Sequence, residues 1–180
     1  MRCVMDTPFA KDTPVSKTEF RNAMARVCAP VNVITTRGPA GRGGFTATAM
    51  CSVTDDPPML LVCMNSMSAQ CDLFLKNGRF CVNVLSHDHR DLAGHFAGRT
   101  SDMEARYAHA QWEDMPSGNQ ALHDAMVSFD CVLADSRRAG THYILIGEVV
   151  GIRVRPDGNA LLYFDRDYVH VPTRIGSFGG

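Results

Sequence analysis

The chain has 180 residues, 45% hydrophobic and 21% charged, which allows one domain with a real core and requires neither disulfides nor metal. Its formal net charge of −1 gives no basic field for nucleic acid, and no apolar run approaches the roughly 20 residues of a membrane helix. The opening MRCVMDTPFAKDTP lacks the hydrophobic stretch of a signal peptide, and seven cysteines without a Cys-x-x-Cys pair argue against zinc or a disulfide framework and for a reducing cytoplasm.

Residues 1–15, broken by prolines, read as an extended arm ahead of a single domain over 16–180. Ser16-Lys17-Thr18-Glu19 is a capping-box pattern. Phe20, Ala23, Met24 and Val27 follow at i, i+3, i+4 and i+7, predicting an amphipathic helix that Pro30 ends. VNVITTRG (31–38) predicts a strand, GPAGRGG (38–44) a tight turn and GFTATAMCSV (44–53) a second strand, together a hairpin. MLLVCMN (59–65) is a third strand. Ser68 then caps a short helix over 69–77, which Asn77-Gly78 ends in a left-handed cap. RFCVNVLS (79–86) is a strand, and residues 87–98 a helix capped by Ser86 and stopped by Gly98. Residues 99–121 read as irregular, with one helical turn around Met103 to Tyr107. The last third is β: 125–135 alternates, 141–154 is long and aliphatic, Pro156-Asp157-Gly158 is a turn, and ALLYFDRDYVHV (160–171) returns. Strands outnumber helices and are joined mostly by turns, so an antiparallel barrel with short peripheral helices is expected over a doubly wound sheet.

Most familiar site patterns are missing. GPAGRGG is followed by strand and lacks both the Gly-x-Gly-x-x-Gly spacing and a terminal Gly-Lys-Ser/Thr, so it is a turn and not a phosphate loop. His87, His89 and His95 lie close in sequence, but i and i+2 do not share a helix face and no carboxylate pair accompanies them. Helix-cap and surface histidines are expected there, and no metal site. No Gly-x-Ser-x-Gly elbow is present. Thr46, Thr48 and Ser52 stand where a core strand would carry valine or isoleucine. Strand hydroxyls often bond backbone, so these residues alone leave a ligand role open. His142 opens a strand and shares a face with Ile144 and Ile146; a half-buried edge histidine and a functional one are both open on that pattern.

The segments FRNAMARVCAPVNVITTRGPAGRGGFTATAMCSVTDDPPMLLVCMNSMSA, FCVNVLS, HFAG, VSFDC, GTHYILIGEV and LLYFDRDY, in that order from about residue 19 to residue 168, resemble the flavin reductase family of two-component monooxygenases. Two groups are similar: the reductase components of hydroxyphenylacetate, phenol and chlorophenol hydroxylases, and the flavin reductase of a pyrimidine-ring-opening pathway. The latter shares the VNVITTRGPAGRGGFTAT phrase and one like YFDRDYVH. The resemblance implies a mainly β fold, a split β-barrel with Greek-key connections of the FMN-binding type, and a homodimer.

It also implies roles for residues. Thr46, Ala47, Thr48 and Ala49 would run beside the isoalloxazine ring, their small side chains letting backbone N–H groups approach, with Ser52 in the same patch. Cys63, Met64 and Asn65 would meet the ring and ribityl chain, and Ser68, Ala69 and Gln70 the phosphate end. His95, Phe96, Ala97 and Gly98 would close over the flavin. His142 would lie at the nicotinamide as the catalytic side chain, with Phe164, Asp165, Arg166 and Tyr168 near the pyridine nucleotide. The implied chemistry is hydride transfer from nicotinamide C4 to flavin N5, which needs alignment and charge stabilisation but no nucleophile. The expected cofactors are FAD, with FMN the alternative, and NADH. The expected partner is a separate aromatic monooxygenase that receives the reduced flavin. A pyrimidine-ring-opening system, or a non-catalytic flavin- or haem-binding barrel, is the alternative. The sequence shows no lysine or arginine beside Ser68.

Overall fold

The computed structural model describes residues 14–172, so the expected arm over 1–15 lies almost wholly outside the described residues. Ser16 forms its capping box: Oγ accepts from the Glu19 N–H at 3.2 Å, and the Ser16 N–H donates to Glu19 Oε2 at 2.9 Å. Helix α1 (Lys17–Met24) follows and ends well before Pro30. It buries none of its residues, and Phe20, Met24 and Val27 of the apolar stripe are 57%, 49% and 52% exposed.

After β1 (Ala29–Pro30) come β2 (Asn32–Gly38) and β3 (Gly41–Ala47), a hairpin whose turn is only Pro39 and Ala40. The expected strand over 44–53 breaks at Thr48-Ala49. Its second half is β4 (Met50–Asp55), which pairs with β5 (Pro58–Asn65). Helix α2 (Cys71–Asn77) is ended by Gly78 at φ 62°, as expected, but Ser68 is not its cap. Gln70 occupies that position, and Ser68 Oγ accepts from the Gln70 N–H at 3.3 Å in the preceding turn.

Strand β6 (Arg79–Val84) leads into a kinked helical run where one helix was expected. A 3-10 turn over His87–His89 passes into α3 (Arg90–Gly94) and then a π-helical turn over His95–Arg99, where Gly98 turns at φ 110°. Helix α4 (Met103–Tyr107) is the expected turn of helix. Beyond it, β7 (Trp112–Asp114) and β8 (Gln120–Leu122) pair inside the stretch expected to be irregular. Three-residue strands carry too little pattern to be read. Trp112 Nε1 donating to Tyr107 O at 2.9 Å and the Leu122 N–H donating to Asn83 Oδ1 at 2.8 Å fix them from outside. Long strands β9 (Val127–Ala139) and β10 (His142–Val154) follow. The expected last strand folds in two, β11 (Asn159–Phe164) and β12 (Asp167–Pro172), with Asp165 and Arg166 both left-handed at φ 48° and 66°. That is the backbone of a two-residue hairpin turn.

Seven strands form one antiparallel sheet in the order β3-β2-β6-β9-β10-β5-β4. Strands β3 and β4 are neighbours in the chain yet stand at opposite edges of that order, so Thr48-Ala49 carries the chain across the opening of a split β-barrel. The Cys63 N–H donates to Ala49 O at 3.0 Å and holds the crossing to β5. Neighbouring Val33 and Ile34 on β2 point to opposite faces. Ile34 joins Leu60, Val62, Met64, Phe74, Phe80 and Leu145 inside the barrel. Val33 joins Leu85, Leu92, Phe96, Tyr107, Leu122 and Leu161 outside it. Each such side chain contributes roughly 1.5–3 kcal/mol on burial. Buried Cys81 and Cys131 behave as small core residues, and burial pushes the Cys131 thiol up to about 12. No helix among the described residues is long and apolar enough to cross a membrane.

Candidate functional site

The β3–β4 crossing forms one wall of a cavity of about 650 Å³, within the usual range for a small-molecule site. Gly44, Phe45, Thr46, Ala47, Thr48 and Ala49 make that wall. Cys63, Met64 and Asn65, at the end of β5, make the second. His142 joins them because the β5–β10 register sets it opposite Asn65. Ser68, Ala69 and Gln70, before α2, close one end. Phe96, Ala97 and Gly98 of the π-helical turn lie over the other side, with Ser101 and Arg106 behind them.

Local geometry explains the small residues on β3. A Cβ at Gly43 would stand 2.5 Å from Gln70 Oε1, and one at Gly44 2.6 Å from Phe96 Cε1. Both glycines are therefore the space that Gln70 and Phe96 occupy. As an edge strand, β3 also presents backbone groups that the ladder does not use. Tyr107 Oη donates to Gly43 O at 2.9 Å and Arg106 Nη1 to Gly44 O at 3.3 Å. Thr46 Oγ1 donates to Ala93 O at 2.7 Å, so that hydroxyl ties β3 to α3. Gln70 Oε1 is buried without a hydrogen-bond partner among the described residues.

Other residues singled out in the sequence lie outside this cavity. Ser52 is exposed on β4, opposite Leu60. His95 is buried beneath the π-helical turn, its Nε2 3.0 Å from Asp91 Oδ2 and its Nδ1 2.7 Å from Thr100 Oγ1. The β11–β12 hairpin turns elsewhere. Asp165 pairs with Arg26 at 3.2 Å, Arg26 lies over the Phe164 ring, and Arg166 Nη2 donates to Asn22 Oδ1 at 2.5 Å. Tyr168 stacks edge-on to Tyr163 and under Arg90, bordering a separate cleft with Arg99 and Arg166. Nor is His89 a surface residue: it is buried, with Nε2 2.9 Å from Asp124 Oδ1 and Nδ1 accepting from the Ser86 N–H.

Sequence reasoning missed four residues of the cavity lining, Gly44, Phe45, Ser101 and Arg106, of which Arg106 brings the charge. Arg106 sits on α4, started by Asp102 Oδ2 accepting from the Ala105 N–H at 2.7 Å, and its Nε donates to Thr100 O at 2.6 Å. Nothing in the sequence ties it to Gly44. Only the fold puts this cation and Gln70 against the same short stretch of β3.

The lining combines apolar Met64, Phe96 and Ala47 with polar Asn65, Ser68 and Gln70, and Arg106 adds a positive charge. Burial, with a smaller effect from nearby Cys51, pushes the Cys63 thiol up, so it is a neutral thiol and no nucleophile. Such a slot suits a flat, largely apolar ring system carrying hydrogen-bonding edges and an anionic tail. Among the described residues no cluster of three His, Cys, Asp or Glu could hold a metal ion.

Residues 24–172 match the family described as flavin reductase like domain. A protein of Pantoea ananatis named FMN reductase (NADH) RutF is 49% identical over 164 residues, covering 91% of this chain and 86% of the relative. The 4-hydroxyphenylacetate 3-monooxygenase reductase component of Pseudomonas aeruginosa is 48% identical over 150 residues, covering 83% of this chain and 88% of the relative. Among solved structures, the flavin reductase PheA2 in its native state superposes with a TM-score of 0.79 at 29% identity, over 88% of this chain and 100% of that one.

Proposed function

The chain belongs to the flavin reductase family, and on that premise we propose that it is an NADH-dependent FMN reductase holding FMN in the cavity at the β3–β4 crossing. As a member it is an oxidoreductase that acts on flavin, of the kind that serves two-component monooxygenases. The finer reading departs from the FAD expected above. It draws on several relatives at 44–49% identity that share the name FMN reductase (NADH) RutF.

The observation that carries the reading is the cavity's lining: a small-residue edge strand on one side, Phe96 on the other, and polar and cationic groups at Ser68, Gln70 and Arg106. Bound flavin supplies the hydride-accepting ring. In this reading the backbone of Thr46 to Ala49 orients that ring and donates to its polar edge. Met64 and Phe96 exclude water from its faces, and Asn65 bonds the ribityl chain. Gln70 offers its amide, Ser68 donates its hydroxyl to the phosphate, and Arg106 offsets the phosphate charge. His142 orients the nicotinamide carboxamide beside Asn65, while Phe164, Asp165, Arg166 and Tyr168 would reach the nucleotide of a second copy's site.

Support for such a second copy comes from a groove of about 660 Å³, lined by Phe20, Met24, Val27, Met50 and Leu61, which borders Thr48 and Ala49 from the other side. We propose that a homodimer covers it, and sedimentation equilibrium tests that directly. The oxygenase partner in this reading opens a pyrimidine ring. The likeness to the hydroxyphenylacetate reductase favours an aromatic hydroxylase as the second reading.

The test is NADH and NADPH oxidation at 340 nm by dialysed protein with FMN, FAD or riboflavin added in turn. The fastest turnover is expected with NADH and FMN, and only with added flavin. FAD preferred over FMN would move the assignment to the aromatic group, and no turnover with any pair would remove the reductase reading.

A further inference from the structure

A π-helical turn is a poor helix. It forgoes regular i→i−4 hydrogen bonds, and such turns are rare and frequently found at functional sites. Inside the His95–Arg99 turn Gly98 stands at φ 110°, a conformation that glycine adopts and residues with a side chain rarely do. Yet the turn carries Phe96, Ala97 and Gly98, which line the cavity. Phe96 is 2% exposed, sits where a Gly44 Cβ would be, and meets Tyr107 edge-on at 5.3 Å and Trp112 at 5.7 Å.

Within the turn one imidazole, that of His95, reaches both of its ends. His95 reaches back to Asp91 at 3.0 Å, one helical turn earlier, and forward to Thr100 at 2.7 Å, just past the end of the bulge. One ring thus ties the two ends together. Asp91 is itself held by Arg99, and bonds from Arg99 and then His95 keep its carboxyl below the usual range. The exposed face of the brace is covered by His109, whose ring stacks on His95 at 3.6 Å with the planes 10° apart.

We propose that His95 is a positioning residue for the flavin: it touches no ligand and sets the π-helical turn so that Phe96 to Gly98 stand at the cavity wall. This rests on the reading of that cavity as the flavin slot. The variants are His95→Ala, which removes both bonds, and His95→Gln, whose amide can donate to Asp91 and accept from Thr100. Thr100→Val removes the Nδ1 partner alone.

Quenching of FMN fluorescence gives the dissociation constant, and NADH oxidation at saturating FMN gives kcat. His95→Ala should weaken FMN binding about five- to tenfold, the worth of one or two net hydrogen bonds, with kcat changed less than about twofold. His95→Gln should recover most of that loss, and Thr100→Val should show part of it. Unchanged FMN affinity in both His95→Ala and Thr100→Val overturns the proposal. So does a fall in kcat with affinity intact, or a glutamine variant as weak as the alanine one. If His95→Ala does not fold, Thr100→Val decides. Wild-type protein that binds no flavin removes the flavin slot itself, and the proposal with it.

Discussion

The β3 wall and the β11–β12 hairpin both carry motif residues, but the single chain treats them differently. Gly44 to Ala49 sit at the closure of the barrel, where the fold itself brings β5, the approach to α2 and the π-helical turn against them. Phe164 to Tyr168 lie on a separate three-stranded sheet, and their polar groups are engaged with Arg26, Asn22 and Arg90. One set forms a cavity within a protomer, and the other braces the region around α1. Proximity in a motif is therefore no guide to proximity in space unless the sheet order supplies it.

The contrast can be broken most forcefully at Gly44. Gly44→Val would drive a branched side chain into Phe96, costing about 1–3 kcal/mol of overpacking and abolishing the flavin slot. Denaturant midpoint and FMN titration read both effects, and a variant that binds FMN normally would show that FMN does not use this wall. His142→Ala should lower NADH kcat/KM about ten- to a hundredfold, the worth of one hydrogen bond to a charged or polarised group, and leave FMN affinity within about twofold. Equal losses in both would place His142 on the flavin alone.

On the hairpin, Asp165→Asn breaks an exposed pair with Arg26 and should cost well under about 1 kcal/mol. A raised KM for NADH without loss of stability would join the hairpin to the nucleotide, whereas no kinetic change would leave it structural. The smallest effect is expected at Asp91. A carboxyl held below its ordinary value adds stability that is present above the unfolded range and disappears as pH falls through the lowered value. Asp91→Asn should therefore melt slightly below wild type at pH 7, and the gap should begin to close only below about pH 4, the ordinary carboxylate range, and vanish below the lowered value of the Asp91 carboxyl. A gap that persists in acid would locate the effect elsewhere.

Much of the fold is legible along the chain because its signals are local. The Ser16 capping box, the left-handed Gly78 and the strands at 32–38, 58–65 and 79–84 follow from caps and periodicity over a few residues. Residues 44–53 mislead for the same reason. Alternation continues through Thr48-Ala49, but the two halves pair with different neighbours, which no local pattern records. Likewise Asp165-Arg166 carries no glycine to announce a hairpin, and the left-handed turn is imposed by β11–β12 pairing.

By itself the sequence determined a mainly β chain and most of its strands, and the family resemblance it carries pointed to the runs 46–49, 63–65, 68–70 and 96–98 that line the cavity. The tertiary structure alone decided that Arg106 stands at Gly44, that Thr46 spends its hydroxyl on Ala93, and that His95 lies behind the wall. The physical reason is range. Caps, turns and alternation act over neighbours the chain always has, whereas the Arg106–Gly44 and Thr46–Ala93 contacts join residues 62 and 47 positions apart and exist only once the barrel has closed.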